Sequence, residues 1–370
     1  VIRSLAEDFS ADKARKGEKS PQSKAGGYTF REKRLSLGVG ALVIFLITFS
    51  IYIPALTNGF VWDDVKYVVE NTTIHSLNST SLSEMFTSFH AGNWHPLTWV
   101  SHALDYKFWG PDPFGHHLSN ITIHAFNTLL VFLLCIRLLV LVKQPPPSSN
   151  GTKPLITLLA AGAAALLFGL HPLHVESVAW VAERKDLLCA FFVLLAVLCY
   201  LSFTSSTFQR SRRLWYVLCL VSAIFSLLSK PMAVTLPLIL LLIDVYPLKR
   251  ISFRQGNSIN FRSVFLEKAP FFALSIASSI ITILAQRSGG ALRNLEKFPL
   301  DIRLLNALKS LVFYLQKITI PINLIPYYPF PSQIHWLDLD YLVPGLLVLA
   351  ITGLCLWRAK KETYLFATVW

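Results

Sequence analysis

Charge is scarce in this chain. Of 370 residues, only 15% are Asp, Glu, Lys or Arg, and 53% are hydrophobic, whereas a soluble domain averages about 25% charged residues. One globular core cannot take up so much apolar surface. The other available solvent is lipid, where a spanning helix needs roughly 20 apolar residues. Cysteine offers no framework. Cys135, Cys189, Cys199, Cys219 and Cys355 lie in or at the edge of apolar runs, and no C-x-x-C occurs, so neither a disulfide scaffold nor a zinc site is indicated. The first apolar run does not fit a secretory signal peptide either, because it begins only after a long polar tail and is too long for a signal-peptide core. Acids are outnumbered, with 34 Lys and Arg against 21 Asp and Glu and a net charge of +13. In a soluble protein that surplus would suggest nucleic acid. Here it falls mostly in loops between apolar runs, where the positive-inside rule puts it on the cytoplasmic side, so no nucleic-acid partner is expected.

What is present reads as an all-α polytopic bundle. Residues 1–34 form a basic tail, expected to be disordered and cytoplasmic. Residues 35–370 form the transmembrane domain. Its spans are expected at about Leu35–Thr57, Leu118–Val142, Pro154–Leu170, Leu187–Phe203, Leu214–Leu228, Met232–Tyr246, Ala269–Ala285 and Tyr341–Trp357. Arg210, Arg212 and Arg213 share one loop, Lys249, Arg250, Arg254, Arg262 and Lys268 dominate another, and Arg358, Lys360 and Lys361 follow the last complete span. Placing all of these in the cytoplasm puts the long loop 58–117 outside. Leu304–Ile320 is apolar but is bracketed or interrupted by Arg303, Lys309, Gln316 and Lys317. A crossing there would carry Arg358–Lys361 outside, so the segment is expected to be interfacial, re-entrant or cavity-lining. The chain stops at Trp370 inside a new apolar run, as a truncated piece of a longer protein would.

This orientation gathers all ten histidines on or near the outer side: His75, His90, His95, His102, His116, His117, His124, His171, His174 and His335. It also leaves Arg184, Lys185, Lys230, Arg287 and Arg293 where cations are not favoured. Snorkelling to headgroups explains one such cation, whereas a set of them suggests an anionic partner such as a lipid phosphate. Phe60-Val61-Trp62-Asp63-Asp64 opens the outer loop with two adjacent carboxylates. Such a carboxylate can serve as general base toward an acceptor hydroxyl, or the pair can be a solvated loop end. His171-Pro172-Leu173-His174-Val175-Glu176 leads on to Trp180-Val181-Ala182-Glu183-Arg184-Lys185-Asp186. Read as one helix, it puts Glu176 near the face of Glu183, and His171 near that of His174. Two histidines and a glutamate could hold a divalent metal, but no third ligand is evident, and positioning by hydrogen bonds is the simpler role. Lys230 precedes Pro231 at a span end and suits phosphate as a point charge.

These stretches resemble the transmembrane O-mannosyltransferases that carry tetratricopeptide repeats, most closely their bacterial branch. The likeness rests on Gly59–Asp64, Asn93-Trp94-His95-Pro96-Leu97-Thr98, Gly115–Asn120 with His124, His171–Asp186, Ser229–Met232 and Asn306–Pro331. It implies a GT-C fold with a large first extracytoplasmic loop. It further implies an enzyme that moves a sugar, a mannose-like hexose, from a polyprenyl-phosphate donor to a hydroxyl of a protein or glycan, with inversion. By that resemblance Asp63 and Asp64 are catalytic, with Asp63 matching the base. Arg184, Lys230, Lys185 and Arg293 bind the donor phosphate. His171, His174, Glu176, Glu183, His95, His116 and Trp94 position substrates. Trp62, Trp94 and Trp180 either stack on a sugar or anchor at the interface. No cofactor is required in principle, because the leaving group is already a phosphate; a divalent metal is the weaker alternative. The membrane is a bacterial inner membrane, or the endoplasmic reticulum in a eukaryote. Sequons at Asn71, Asn78, Asn120 and Asn150 matter only in the second case. The competing readings are a transporter or flippase for lipid-linked or anionic substrates, and a catalytically inactive scaffold. A transporter would carry charge at mid-membrane, and the spans are nearly free of it, Asp244 near an inner end excepted.

Overall fold

The computed structural model describes residues 30–142, 154–251, 261–291, 299–329 and 338–358. Most of the tail 1–34, Asn150, Arg293, His335 and Trp370 lie outside the described residues. The regular structure of the described residues is helical, apart from one isolated bridge between His90 and Asn93. The helices are α1 (Phe30–Ile51), α2 (Ser79–Thr87), α3 (Pro96–Trp109), α4 (Pro113–Val142), α5 (Pro154–Gly169), α6 (His174–Ala179), α7 (Arg184–Ser205), α8 (Gln209–Ser229), α9 (Leu236–Val245), α10 (Phe261–Ser288), α11 (Leu300–Thr319) and α12 (Leu339–Arg358). The helices α3, α4 and α5 have proline in the first turn, where the missing N–H costs nothing.

Five segments are long and apolar enough to cross a bilayer: Pro113–Val142, Val181–Ser205, Gln209–Ser229, Arg262–Ser288 and Leu339–Arg358. The apolar stretches Leu35–Ile51, Leu155–Gly169 and Pro231–Val245 are shorter. The five overlap expected spans, and the protein is a multi-pass membrane protein; the expected spans at about Leu35–Thr57, Pro154–Leu170 and Met232–Tyr246 fall on the three shorter stretches. The helix α11 is not among these segments, since Asp301, Arg303, Lys309 and Lys317 break up its apolar composition.

Packing follows small residues and satisfied polar groups, as it must where lipid provides no hydrophobic driving force between helices. The helix α8 buries Cys219, Ser222, Ala223 and Ser226 on one stripe against the α7 core of Val197, Tyr200 and Leu201. A second core joins α1, α4 and α5 through Ile44, Phe132, Ile136, Ala161 and Ala165. The buried polar face of α4 donates to carbonyls of neighbouring segments, among them orphans at the ends of α5 and α6. His124 Nε2 donates to Gly169 O (2.9 Å), Asn127 Nδ2 to Leu187 O (2.9 Å), and Asn120 Nδ2 to Val178 O and Trp180 O (3.3 Å each). Gly169 permits the approach, because a Cβ there would lie 2.6 Å from Thr128 Oγ1.

At one end of the bundle, buried Asp244 of α9 accepts from Tyr200 of α7 and pairs with Lys268 of α10 and with Arg250 (3.0 Å), which also bonds Glu267. Asp244 is therefore paired within the bundle, by Lys268 and Arg250. At the other end, the loop after α1 builds a core of its own from Tyr67, Val68, Ile74, Met85, Trp99 and Ala103. Val181 and Ala182 complete it. This loop also docks on the end of α10. Gln286 Nε2 donates to Gly92 O (3.0 Å) and Asn93 Oδ1 (3.2 Å), and a Cβ on Gly289 would sit 2.6 Å from the Gly92 Cα. Gly289→Ala is expected to lift the loop off α10 at a cost of about 1–3 kcal/mol, the usual range for overpacking. Limited proteolysis within residues 86–95 should then speed up while the rest of the bundle stays protected.

Candidate active site

The sequence Val61–Asp64 closes a tight turn, with Asp64 N–H donating to Val61 O (2.9 Å) and the Asp64 Oδ2 accepting from Val61 N–H (3.0 Å). The other carboxylate oxygen, Oδ1, accepts from Ala182 N–H at 2.6 Å across 118 residues of chain. Asp64 is completely buried. Burial raises its pKa, and backbone N–H groups of Val61, Ala182 and Val181 work against that rise. Asp64 thus pins the start of the outer loop to the segment before α7. Its neighbour Asp63 is exposed.

The stretch His171–Asp186 is not one helix. The α6 helix ends at Ala179, Trp180 is extended (φ −94°, ψ 114°), and a short 3-10 turn precedes α7. Val181 and Ala182 turn into the loop core, and this breaks the periodicity that would have aligned Glu176 with Glu183. Glu183 and Asp186 then face two lysines. Lys185 Nζ lies 2.7 Å from Glu183 Oε1, while Lys230 Nζ pairs with Asp186 and lies 3.4 Å from Glu183 Oε2. Burial alone would lower the Lys230 pKa, but the Asp186 and Glu183 carboxylates overcome it and the net shift is upward. Lys185 also stands over the Tyr67 ring, 5.0 Å from its centroid. Asp63 is joined to the same tyrosine through the backbone, its carbonyl accepting from Tyr67 N–H (2.9 Å). Glu176 faces the cluster from α6, its pKa raised by partial burial and by Glu183 and Asp186.

Arg184 stands apart. It is wholly buried, and its donors are spent inside the protein. Nε donates to Asn120 Oδ1 (2.7 Å), Nη2 to His116 O (2.6 Å), and Nη1 to Asp105 and to Ser101 O and Oγ (3.4 Å each). Asp105, Asn120 and Ser101 are the partners that sequence reading missed. The only available signal was the rarity of an acid in α3 among apolar residues.

The histidines divide. His95 is buried beside Lys185 and Lys230; burial and those two ammoniums push its pKa down to about 3. His116 is buried and bonds Gly110 O (3.1 Å). His171 Nε2 donates to Ile318 O of α11 (2.9 Å), and His174 packs against Phe168 and His124 with its pKa lowered to about 4, chiefly by burial. These two make contacts that join α6 and the segment before it to α4, α5 and α11. Among the described residues, no group of three His, Cys, Asp or Glu is placed to hold a metal. Trp94 donates its indole N–H to Phe86 O (2.9 Å). Arg293 lies outside the described residues, and Arg287 is exposed at the end of α10.

Known proteins match about half of the chain or somewhat more. The chain is 34% identical over 209 residues to the fruit fly Drosophila melanogaster protein O-mannosyl-transferase Tmtc1, covering 54% of this chain and 22% of that one. It is 29% identical over 237 residues to Xenopus laevis tmtc2 (61% and 26%) and 28% identical over 184 residues to human TMTC3 (47% and 18%). This chain is a relative of the TMTC O-mannosyltransferases. Its matched part spans about a quarter of their length or less. No family model and no solved structure matches. The relationship agrees with the all-helical, multi-pass architecture described above.

Proposed function

We propose that this chain forms the catalytic membrane portion of a glycosyltransferase. In this reading it moves a mannose-like hexose from a polyprenyl-phosphate donor to a hydroxyl acceptor, a Ser or Thr of a protein, on the extracytoplasmic face with inversion. One observation carries the reading. The Asp64 clamp holds the turn bearing the exposed Asp63 carboxylate against the segment whose lysines sit at a membrane-helix mouth. The positive-inside argument puts that end outside, and the names of the relatives supply the class of reaction.

Asp63 takes the proton of the acceptor hydroxyl. The freed oxygen attacks C1 of the sugar, the bond from C1 to the phosphate oxygen breaks, and its electron pair leaves on the phosphate. Lys230 and Lys185 receive that charge by turning from Glu183 and Asp186 toward the phosphate. Fixed cations facing a leaving group contribute most where charge develops. Arg184 acts as a positioning residue, holding the start of α7 to α3 and α4, and makes no direct phosphate contact. The His95 imidazole stays neutral beside the lysines.

The test is transfer by the purified chain in liposomes supplied with polyprenyl-phosphate mannose and a Ser/Thr-rich peptide. Mannosyl peptide is the expected product. Lys230→Met should raise the KM for donor by about 10- to 100-fold, the worth of one hydrogen bond to a charged group. The absence of transfer from any polyprenyl-phosphate hexose would overturn the reading.

A further inference from the structure

The turn that carries Asp63 also carries an anomaly. Trp62 has a φ of +50°, a left-handed conformation that is a genuine outlier for a bulky residue and is strained. Strain of this kind persists where the surroundings dictate it, and here they do, through both Asp64 hydrogen bonds. The strained backbone turns the indole outward, where it is 62% exposed. Its ring meets the half-buried Trp180 edge-to-face, with centroids 5.6 Å apart at 78°. The Asp64 carboxylate joins Val61, immediately before Trp62, to Ala182, two residues after Trp180. One buried side chain therefore sets both indoles and Asp63 together. The third tryptophan of the sequence reading, Trp94, is held to Phe86 O and has no such setting.

We propose that Trp62 and Trp180 form the platform on which the pyranose ring of the donor stacks while its C1 faces the Asp63 side. This inference rests on the proposed function and adds the residues that read the sugar. A pyranose presents C–H bonds on one face, and an exposed indole offers a flat apolar surface with a negative π-face that suits them. The Trp180 indole N–H is buried and has no acceptor, and an unpaired buried donor is costly. A hydroxyl of the stacked sugar supplies the acceptor that this N–H lacks. Simple anchoring of Trp62 in the membrane interface predicts the opposite dependence, on lipid rather than on sugar.

The experiment compares wild type, Trp62→Leu, Trp62→Phe and Trp62→Gly in liposomes. The donor is polyprenyl-phosphate mannose, and sugarless polyprenyl phosphate is the competitive inhibitor. Trp62→Leu should raise the KM for donor about three- to tenfold, the range of an aromatic contact beyond its area, with kcat changed less, and Trp62→Phe should recover most of it. The Ki of the sugarless lipid should not move. Trp62→Gly relieves the backbone strain, so a rise in KM in a variant of equal or higher thermal stability separates ring loss from misfolding. A parallel rise in Ki, or an unchanged KM in both Trp62→Leu and Trp62→Gly, overturns the platform. If wild type transfers nothing, the proposed function fails by itself, and equilibrium binding decides the platform. Wild type should then prefer the sugar-bearing lipid over the sugarless one, and Trp62→Leu should lose that preference. Equal wild-type binding of both lipids refutes it.

Discussion

Asp63→Asn is expected to lower kcat for sugar transfer by about 100- to 10,000-fold, the usual contribution of a positioned general base, with little change in thermal stability. The carboxylate is exposed, so Asn is accommodated and membrane insertion, expression and proteolytic pattern should match wild type. Asp64→Asn should behave differently. Its two oxygens accept from Val61 and Ala182, and an amide can accept at only one end while its NH2 meets a backbone N–H. Leaving such a buried donor unpaired costs about 1–3 kcal/mol, and the loss falls on the contact that docks the loop. The Asp64 variant should therefore lose activity together with protease resistance in residues 58–75, whereas the Asp63 variant loses activity alone. Equal thermal shifts in the two variants, or full activity in Asp63→Asn, would defeat the division of labour proposed for this pair.

In residue type the two neighbours do not differ, and only the resemblance singled out Asp63 as the base. Their division is decided by a hydrogen bond across 118 residues, and no local pattern reports such a bond. The spans were legible because composition alone decides which segments suit lipid. The exclusion of α11 was legible for the same reason, since Arg303, Lys309 and Lys317 disqualify it. The break at Trp180 was hidden, because nothing in Trp-Val-Ala-Glu announces a helix end. It arises when Val181 and Ala182 are drawn into a core formed mostly by residues 67–103. For His171 and His174 the spacing favoured positioning by hydrogen bonds, and the partners they meet come from α11, α5 and α4. In each case the type of residue was readable, and the partner that fixes its role lay far along the chain.

Arg184 shows the same principle with a larger energy at stake. Its guanidinium satisfies Asp105, Asn120, Ser101 and the His116 carbonyl with no exposure to solvent. Arg184→Gln should cost about 3–5 kcal/mol, the penalty for breaking a buried pair and stranding one charge. Arg184→Lys should recover only part of this, since one ammonium cannot reproduce a planar fork that reaches α3 and α4 at once. A direct phosphate ligand would behave otherwise. Its loss would spare stability, raise the KM for donor, and weaken inhibition by polyprenyl phosphate. The decisive comparison is the double variant Arg184→Met with Asp105→Leu. Removing both charges removes the stranded carboxylate, so thermal stability should return well above that of Arg184→Gln, and donor KM should return with it if Arg184 acts only through position. Restored stability with a donor KM still raised would instead place Arg184 on the phosphate.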